Sequence, residues 1–143
     1  MKKILLIGAT LLLLLAGCSN QAYERDSNPG EIIELTYADA LAKIKNKESF
    51  VLTISQSNCS NCTLLKEMLE PYLEDHHVVI YDALLDGSML TLEQIQADFP
   101  KFKGTPDLYV VKKGKLTGHI AGSMEEEKFD EWVVKHKLDE VSK

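Results

Sequence analysis

The chain lacks a block of basic residues and has an acidic balance instead. It carries 16 Lys and Arg against 22 Asp and Glu, which gives a net charge of −6 at pH 7. Nucleic-acid-binding surfaces need clustered positive charge to neutralise phosphates. We therefore expect no nucleic acid among the partners of this protein.

The chain also lacks an apolar run long enough for a stable membrane span. The run from Ile4 to Leu15 would extend roughly 18 Å as a helix, whereas the hydrocarbon core of a bilayer is roughly 30 Å thick. Two lysines precede the run, and two small residues follow it before Cys18. This order is typical of an export signal, with an uncleaved hydrophobic anchor as the alternative. In either case we expect the domain to lie outside the cytoplasm.

The segment Leu15-Ala16-Gly17-Cys18 resembles the bacterial lipobox, in which a signal peptidase cleaves before a cysteine that receives diacylglycerol. The resemblance implies that residues 1–17 are a lipoprotein signal peptide and that Cys18 anchors the mature chain to the bacterial cell membrane. The remaining length suits one domain and is too short for two. Residues 18–30 are polar and predict a flexible tether, so we place the folded domain at residues 31–143.

Cysteine is scarce, and the scarcity is informative. Three cysteines are an odd number for an exported protein. Lipidation of Cys18 would leave Cys59 and Cys62, a C-x-x-C pair that can close only on itself. Because so small a loop removes little unfolded-state entropy, such a disulfide contributes little to stability. The pair is therefore better interpreted as reactive than as structural.

Apolar patterns predict the element order β-α-β-α-β-α-β-β-α. The predicted strands are residues 32–35, 50–54, 78–81, 108–111 and 115–120. Helices are predicted to begin at Thr36, at the cysteine pair, at Thr91 and at Ser123, the last two with capping boxes completed by Gln94 and Glu126. We expect Pro71 to kink or divide the second helix and Pro100 to end the third. Strands that alternate with helices and then close with a hairpin and a helix imply an α/β fold with a mixed sheet.

Three short motifs, in this order and spacing along the chain, resemble those of thioredoxin. They are Cys59-x-x-Cys62 at a strand-to-helix junction, Gly104-Thr105-Pro106 before a hairpin, and Gly122 before a helix with Phe129 and Trp132. The resemblance covers roughly residues 31–143 and implies a thioredoxin fold, with a central mixed β-sheet flanked by helices on both faces. Within the family, the chain is most similar to small exported thioredoxin-like proteins of Gram-positive bacteria, including bacteriocin transport accessory proteins.

The resemblance implies a role for each matched residue. Cys59 would be the attacking thiolate and Cys62 the thiol that resolves the mixed disulfide. Pro106 would be cis, and the Thr105 backbone would pair with an extended substrate segment. A helix N-terminus favours negative charge, so we expect the pKa of Cys59 to lie below the usual value of about 8.5. The implied partners are protein thiols or disulfides and a redox partner in the membrane, with no cofactor, no metal and a monomeric state.

Several positions depart from the thioredoxin pattern. Asn58 stands in place of the tryptophan before the first cysteine, and Ser60-Asn61 replaces Gly-Pro between the cysteines, so the substrate-binding surface at Asn58, Ser60 and Asn61 differs. Thr53 stands where thioredoxin buries an acid that handles the proton of the second cysteine, which argues against fast general reductase activity. The absence of a histidine between the cysteines argues against an oxidase.

Other functions are compatible with the same residues. We interpret the pair as that of a thiol-disulfide oxidoreductase of the reductase or isomerase type. The alternative is a non-catalytic adaptor of a transport or secretion complex. Cys62 and His76 have a spacing near that of zinc fingers, but an intervening helix would separate them by roughly 20 Å, which disfavours zinc and leaves copper delivery as the residual metal hypothesis. Peroxide reduction is a weaker alternative. We interpret the four histidines, His76, His77, His119 and His136, as structural.

Overall fold

The computed structural model describes residues 25–141, in which nine elements follow one another in the predicted order. They are β1 (Glu31–Thr36), α1 (Tyr37–Lys45), β2 (Phe50–Ser55), α2 (Ser60–Glu74), β3 (Val79–Leu84), α3 (Leu92–Asp98), β4 (Asp107–Lys112), β5 (Lys115–Ala121) and α4 (Glu126–His136). The predicted signal peptide and Cys18 lie outside the described residues. Within residues 25–141, none of the helices has the length and apolar character that a membrane crossing requires.

The strands form one mixed sheet in the order β1-β3-β2-β4-β5. Strands β1, β3 and β2 are parallel, whereas β4 runs antiparallel to β2 and pairs with β5 through the predicted hairpin. All six residues of β2 are buried, because it lies at the centre of the sheet with helices on both faces. This arrangement confirms the predicted mixed sheet.

Each face of the sheet carries its own apolar cluster. Leu65 and Leu69 of α2 pack with Phe129 of α4 on one face, which we call the α2 face. Ala40 of α1 and Ile95 of α3 lie in the cluster on the opposite face, the α1 face. Side chains of a strand alternate between faces, and along β2 they point in turn to the two clusters. A residue's parity within a central strand therefore determines which helices it meets.

Of the two predicted capping boxes, at Thr91 and at Ser123, one is confirmed and the other is wrong. The box at Thr91 is confirmed, since its Oγ1 accepts from the Gln94 N–H while the Gln94 side chain accepts from the Thr91 N–H. The box at Ser123 is wrong, because the N-cap of α4 is Glu125 and makes no side-chain capping bond. Ser123 lies too far from the first turn to cap it, and its Oγ donates instead to Asn61 Oδ1 at 3.4 Å.

Pro71 does not divide the second helix, which continues through it to Glu74. A proline removes one backbone donor and crowds the preceding turn. Here it lies exposed in the last turn, and the two residues that follow it, Tyr72 and Leu73, are buried in the core of the α2 face. Packing of these side chains holds the final turn in place. Of the two predicted outcomes, a kink or a division, the division is therefore wrong.

Part of the predicted tether lies against the far end of α2. The Arg25 side chain is buried and its Nη1 donates to the His77 carbonyl at 2.5 Å. The Gly30 N–H donates to the Leu73 carbonyl at 2.8 Å, and a Cβ on Gly30 would lie 2.3 Å from the Val78 carbonyl oxygen. Residues 25–30 therefore contact the domain, and only a residue without a side chain fits at position 30.

Candidate active site

Cys59 is the N-cap of α2. Its backbone is extended, with φ −140° and ψ 104°, and its Sγ accepts a hydrogen bond from the Cys62 N–H at 3.1 Å. The Thr63 N–H donates to the Cys59 carbonyl, which starts the helical hydrogen bonding. The Cys59 sulfur thus occupies the position of a capping oxygen, where the first-turn amides and the helix dipole stabilise negative charge.

The two cysteines form a disulfide at the entrance to the helix. The Sγ–Sγ distance is 2.20 Å and the Cα–Cα distance is 5.2 Å. Both cysteines are partly buried, whereas Asn58, Ser60 and Asn61 are exposed beside them. The structure therefore brings the predicted reactive pair together and surrounds it with the polar residues that the sequence assigned to recognition.

The loop before β4 lies against Cys59. The Thr105–Pro106 peptide bond is cis, which confirms the predicted geometry. Cys59 Sγ lies 3.5 Å from the Thr105 carbonyl oxygen, and Thr105 Oγ1 donates to the same sulfur at 3.4 Å. The Gly122 N–H donates to the Pro106 carbonyl at 2.9 Å, so the loop is tied to the end of β5. Thr105 is consequently held beside the sulfur that the helix N-terminus presents.

A cavity of about 280 Å³ lies behind the pair, between α2 and the sheet. Its lining includes Cys62 and Pro106 from the active-site side and three polar residues of β2 and β3: Thr53, Ser55 and Asp82. Thr53 stood out in the sequence as a departure from the thioredoxin pattern, whereas Asp82 and the cavity were not predicted.

Asp82 is the acidic residue at the inner wall of this cavity. Ser55 Oγ donates to Asp82 Oδ1 at 2.5 Å. Burial raises the pKa of Asp82, and Glu34 and Asp86 raise it further, whereas the Ser55 bond and Lys66 oppose the rise. A carboxylate with a raised pKa beside a reactive cysteine is a candidate for proton transfer. The sequence contains a signal for this position. Asp82 lies two residues after the buried Ile80 in β3, so the two side chains point to the same face of the sheet.

Asp107 is a second buried carboxylate, directly after the cis proline. It accepts from the Tyr109 hydroxyl at 2.5 Å and bonds His119 Nε2 at 2.7 Å. Burial raises the pKa of Asp107, while the bonds to Tyr109 and His119 oppose the rise. Asp107 shares the parity of Tyr109, which packs in the cluster of the α1 face, so it points away from the cavity. His119 therefore serves as a partner of a buried acid.

His76 lies at the opposite end of α2 from the cysteines. Its Nδ1 bonds the Tyr72 carbonyl at 2.7 Å, and its ring stacks on that of Tyr72 with centroids 3.7 Å apart. Across residues 25–141, no group of three or more His, Cys, Asp and Glu residues is placed to hold a metal ion. The finger-like spacing of Cys62 and His76 does not bring the two side chains together.

Comparisons with known proteins agree with this geometry. The chain resembles solved thioredoxins from Aeropyrum pernix (16% identity, TM-score 0.54, covering 71% of this chain and 84% of that one) and Malassezia sympodialis (17%, 0.57, 76% and 93%). It also resembles a mutant thioredoxin from Halobacterium salinarum (15%, 0.57, 82% and 99%). A search of curated proteins found no match.

The structural likenesses establish the fold that the sequence predicted, with its mixed sheet between two layers of helices. The family model called thioredoxin-like domain matches residues 36–137, a span that contains the disulfide and the cis proline. A disulfide at the N-terminus of α2, facing a cis proline within this fold, is a redox-active arrangement. On these grounds the chain belongs to the thioredoxin-like domain family.

Proposed function

We propose that this protein is an extracytoplasmic, lipid-anchored thiol-disulfide oxidoreductase that acts on protein disulfides or thiols through Cys59 and Cys62. The observation that supports it best is the position of Cys59 Sγ, which lies at the N-terminus of α2 and within 3.5 Å of the Thr105 carbonyl oxygen. An attacking sulfur needs both stabilisation as a thiolate and access to a bound partner.

In the reduced protein, the Cys59 thiolate attacks one sulfur of a substrate disulfide and expels the other as a thiolate. A mixed disulfide between Cys59 and the substrate results. The Cys62 thiolate then attacks Cys59 Sγ, which restores the intramolecular disulfide and releases the reduced substrate. The reverse sequence oxidises a substrate dithiol, and the reduction potential of the pair relative to its surroundings decides the direction.

The substrate would lie along the loop before β4. A backbone segment beside a reactive sulfur can pair with an extended peptide, as strands do at a sheet edge. Thr105 would supply that backbone, Pro106 would shape it, and the exposed Asn58, Ser60 and Asn61 would contact the flanking residues of the partner. Such a polar surface suits protein substrates with hydrogen-bonding groups next to their cysteines.

Single-cysteine variants test the assignment of roles. Cys62→Ala should accumulate mixed disulfides with partner proteins, because Cys59 still attacks and nothing resolves the product. Cys59→Ala is the matched control and should trap few or none. Non-reducing electrophoresis after acid quenching and alkylation measures both variants. Equal trapping would contradict the roles, and a pair that stays oxidised under every reductant would indicate an adaptor instead of an enzyme.

The proposed location rests on the sequence around Cys18 and on the resemblance to small exported thioredoxin-like proteins of Gram-positive bacteria. Cys18→Ser should block processing or release the protein from membranes, whereas Ser19→Ala should leave both unchanged. Membrane fractionation combined with metabolic labelling by a fatty-acid probe measures the outcome. Normal cleavage and retention in Cys18→Ser would contradict lipid anchoring.

A further inference from the structure

We infer that Asp82 accepts the proton of Cys62 during resolution of the mixed disulfide and returns it in the reverse step. The inference rests on the proposed thiol-disulfide exchange and assigns its proton transfer to a residue of β3. In the thioredoxin pattern the corresponding acid belongs to the strand before the cysteines, where this chain has Thr53. The carboxylate proposed here comes from the neighbouring strand.

The sheet places Asp82 on the same side as the cysteines. Thr53 and Asp82 are register partners in the parallel pair β2–β3, and parallel partners point to the same face. Val51 and Ile80, two residues earlier on the same strands, both pack in the cluster of the α2 face. Asp82 therefore faces α2, and it lines the same cavity as Cys62 and Pro106.

The other groups in the cavity are less suited to accept this proton. Thr53 Oγ1 is buried without a hydrogen-bond partner among the described residues, but a hydroxyl is not a base near neutral pH. Glu34 is an exposed residue of the outer strand β1. Ser55 already donates to Asp82, which leaves the second carboxylate oxygen of Asp82 for another donor. Asp82 is thus the one half-buried acid in the cavity lining.

The cavity has room for transfer through solvent. Liquid water occupies about 30 Å³ per molecule, and the cavity measures about 280 Å³. A proton can therefore pass from the Cys62 thiol to the carboxylate either directly or along a short water chain. In the resolving step the thiol becomes a thiolate and the carboxylate becomes a carboxylic acid. The thiolate then bonds to Cys59 Sγ, and the sulfur–sulfur bond to the substrate breaks, with both of its electrons leaving on the substrate thiolate.

The charges around Asp82 set the pH at which it works. Burial raises its pKa, Glu34 on β1 and Asp86 after β3 add to the rise, and Lys66 on α2 opposes it together with the Ser55 hydrogen bond. A stronger base accepts the cysteine proton more readily, provided that it is still ionised at the working pH. The resolving step should therefore slow as the pH falls through the raised pKa of Asp82.

Stopped-flow reaction with 5,5′-dithiobis(2-nitrobenzoic acid) separates the two steps. The full chain in detergent, carrying Cys18→Ser so that only the pair reacts, should release one coloured thiolate when Cys59 attacks and a second when Cys62 resolves. In Asp82→Asn the second phase should be at least about tenfold slower at pH 7, since general base catalysis usually contributes about 10²- to 10⁴-fold. The first phase should change less than about twofold.

The pH profile distinguishes proton transfer from a structural effect. The rate of the parent's second phase should fall toward acidic pH, and Asp82→Asn should lack this acidic limb. Glu34→Gln should keep the limb but move it to lower pH, because Glu34 raises the pKa of Asp82, with a rate at pH 7 within about twofold of the parent's. A parent profile without the limb, or an Asp82→Asn profile that keeps it, would overturn the role of Asp82 and leave the exchange function intact. Absence of the first phase in the parent would overturn the proposed function and the inference with it. A parent profile without the limb overturns the role of Asp82 even where Asp82→Asn fails to fold, and the Ser55→Ala variant then tests whether the limb belongs to Asp82.

Discussion

Two acids lie on the strands that flank β2, the half-buried Asp82 and the fully buried Asp107, and their surroundings differ. Asp82 of β3 faces α2, whereas Asp107 of β4 points to the opposite face. Burial raises the pKa of both. Asp107 is 0% exposed and has bonds from Tyr109 and His119 to its two oxygens. Asp82 accepts one bond, from Ser55, and borders a cavity.

The difference indicates what each carboxylate can do. An acid whose two oxygens both have partners fixes the position of the groups that bond it, and removing it leaves those groups unsatisfied. An acid with a spare oxygen at a cavity can exchange a proton without breaking a network. We therefore expect substitutions of Asp107 to act mainly on stability and those of Asp82 mainly on the pH dependence of exchange.

The largest effect on stability should come from Asp107→Ala. It removes a buried acceptor from both Tyr109 and His119, and breaking a buried pair on one side costs about 3 kcal/mol. Urea unfolding followed by tryptophan fluorescence measures the change, with Glu70→Ala as an exposed acidic control on α2. A loss below about 1 kcal/mol would show that the two acids do not differ as described.

Tyr109→Phe should cost less, about 1 to 2 kcal/mol in the free energy of unfolding. The ring stays packed and only the hydrogen bond to a charged group is lost. Because this bond favours the ionised form of Asp107, the loss should diminish at pH values low enough to protonate that carboxyl. The same urea titrations at several pH values would reveal it, and a loss that does not change with pH would contradict the assignment.

Asp82→Asn should change the stability at pH 7 by less than about 1 kcal/mol. The sign follows from the raised pKa. Folding favours the protonated acid, so the parent loses stability as the pH rises from the usual aspartate range through the raised pKa, and the asparagine variant does not. The variant should therefore gain stability relative to the parent as the pH rises from the usual aspartate range through the raised pKa of Asp82. A relative loss with rising pH, seen in urea midpoints, would contradict the raised pKa.

The smallest effect concerns Ser55→Ala, which removes the one bond that Asp82 accepts from Ser55. Since this bond lowers the pKa of Asp82, its loss should move the acidic limb of the resolving step to higher pH, by less than about one unit. Thr63→Ala, on the exposed first turn of α2, serves as a hydroxyl-deletion control and should leave the limb in place. A limb that moves to lower pH in Ser55→Ala would refute the coupling of the two side chains.

Sequence patterns predicted the fold and the cysteine pair because their signals are local. Apolar periodicity located the nine elements, and the C-x-x-C spacing placed two sulfurs on one helical turn. The cis bond before Pro106 was predicted from the resemblance of Gly104-Thr105-Pro106 to thioredoxin. The cavity and the role of Asp82 depend on the register between β2 and β3 and on the strand order. No single segment contains that information, so the neighbours of Asp82 could not be deduced before the sheet was known.

The contact of Gly30 with the end of α2 also limits the orientation that a lipid-anchored domain could take relative to the membrane. The 15 residues of α2 extend about 22 Å, with the disulfide at one end and the chain's point of entry near the other. Six residues lie between the proposed lipid site at Cys18 and Arg25, so the seven steps along the chain reach at most about 25 Å. Anchoring at Cys18 would then keep the entry side close to the bilayer. Cys59 would face outward, toward partners that approach from the aqueous side.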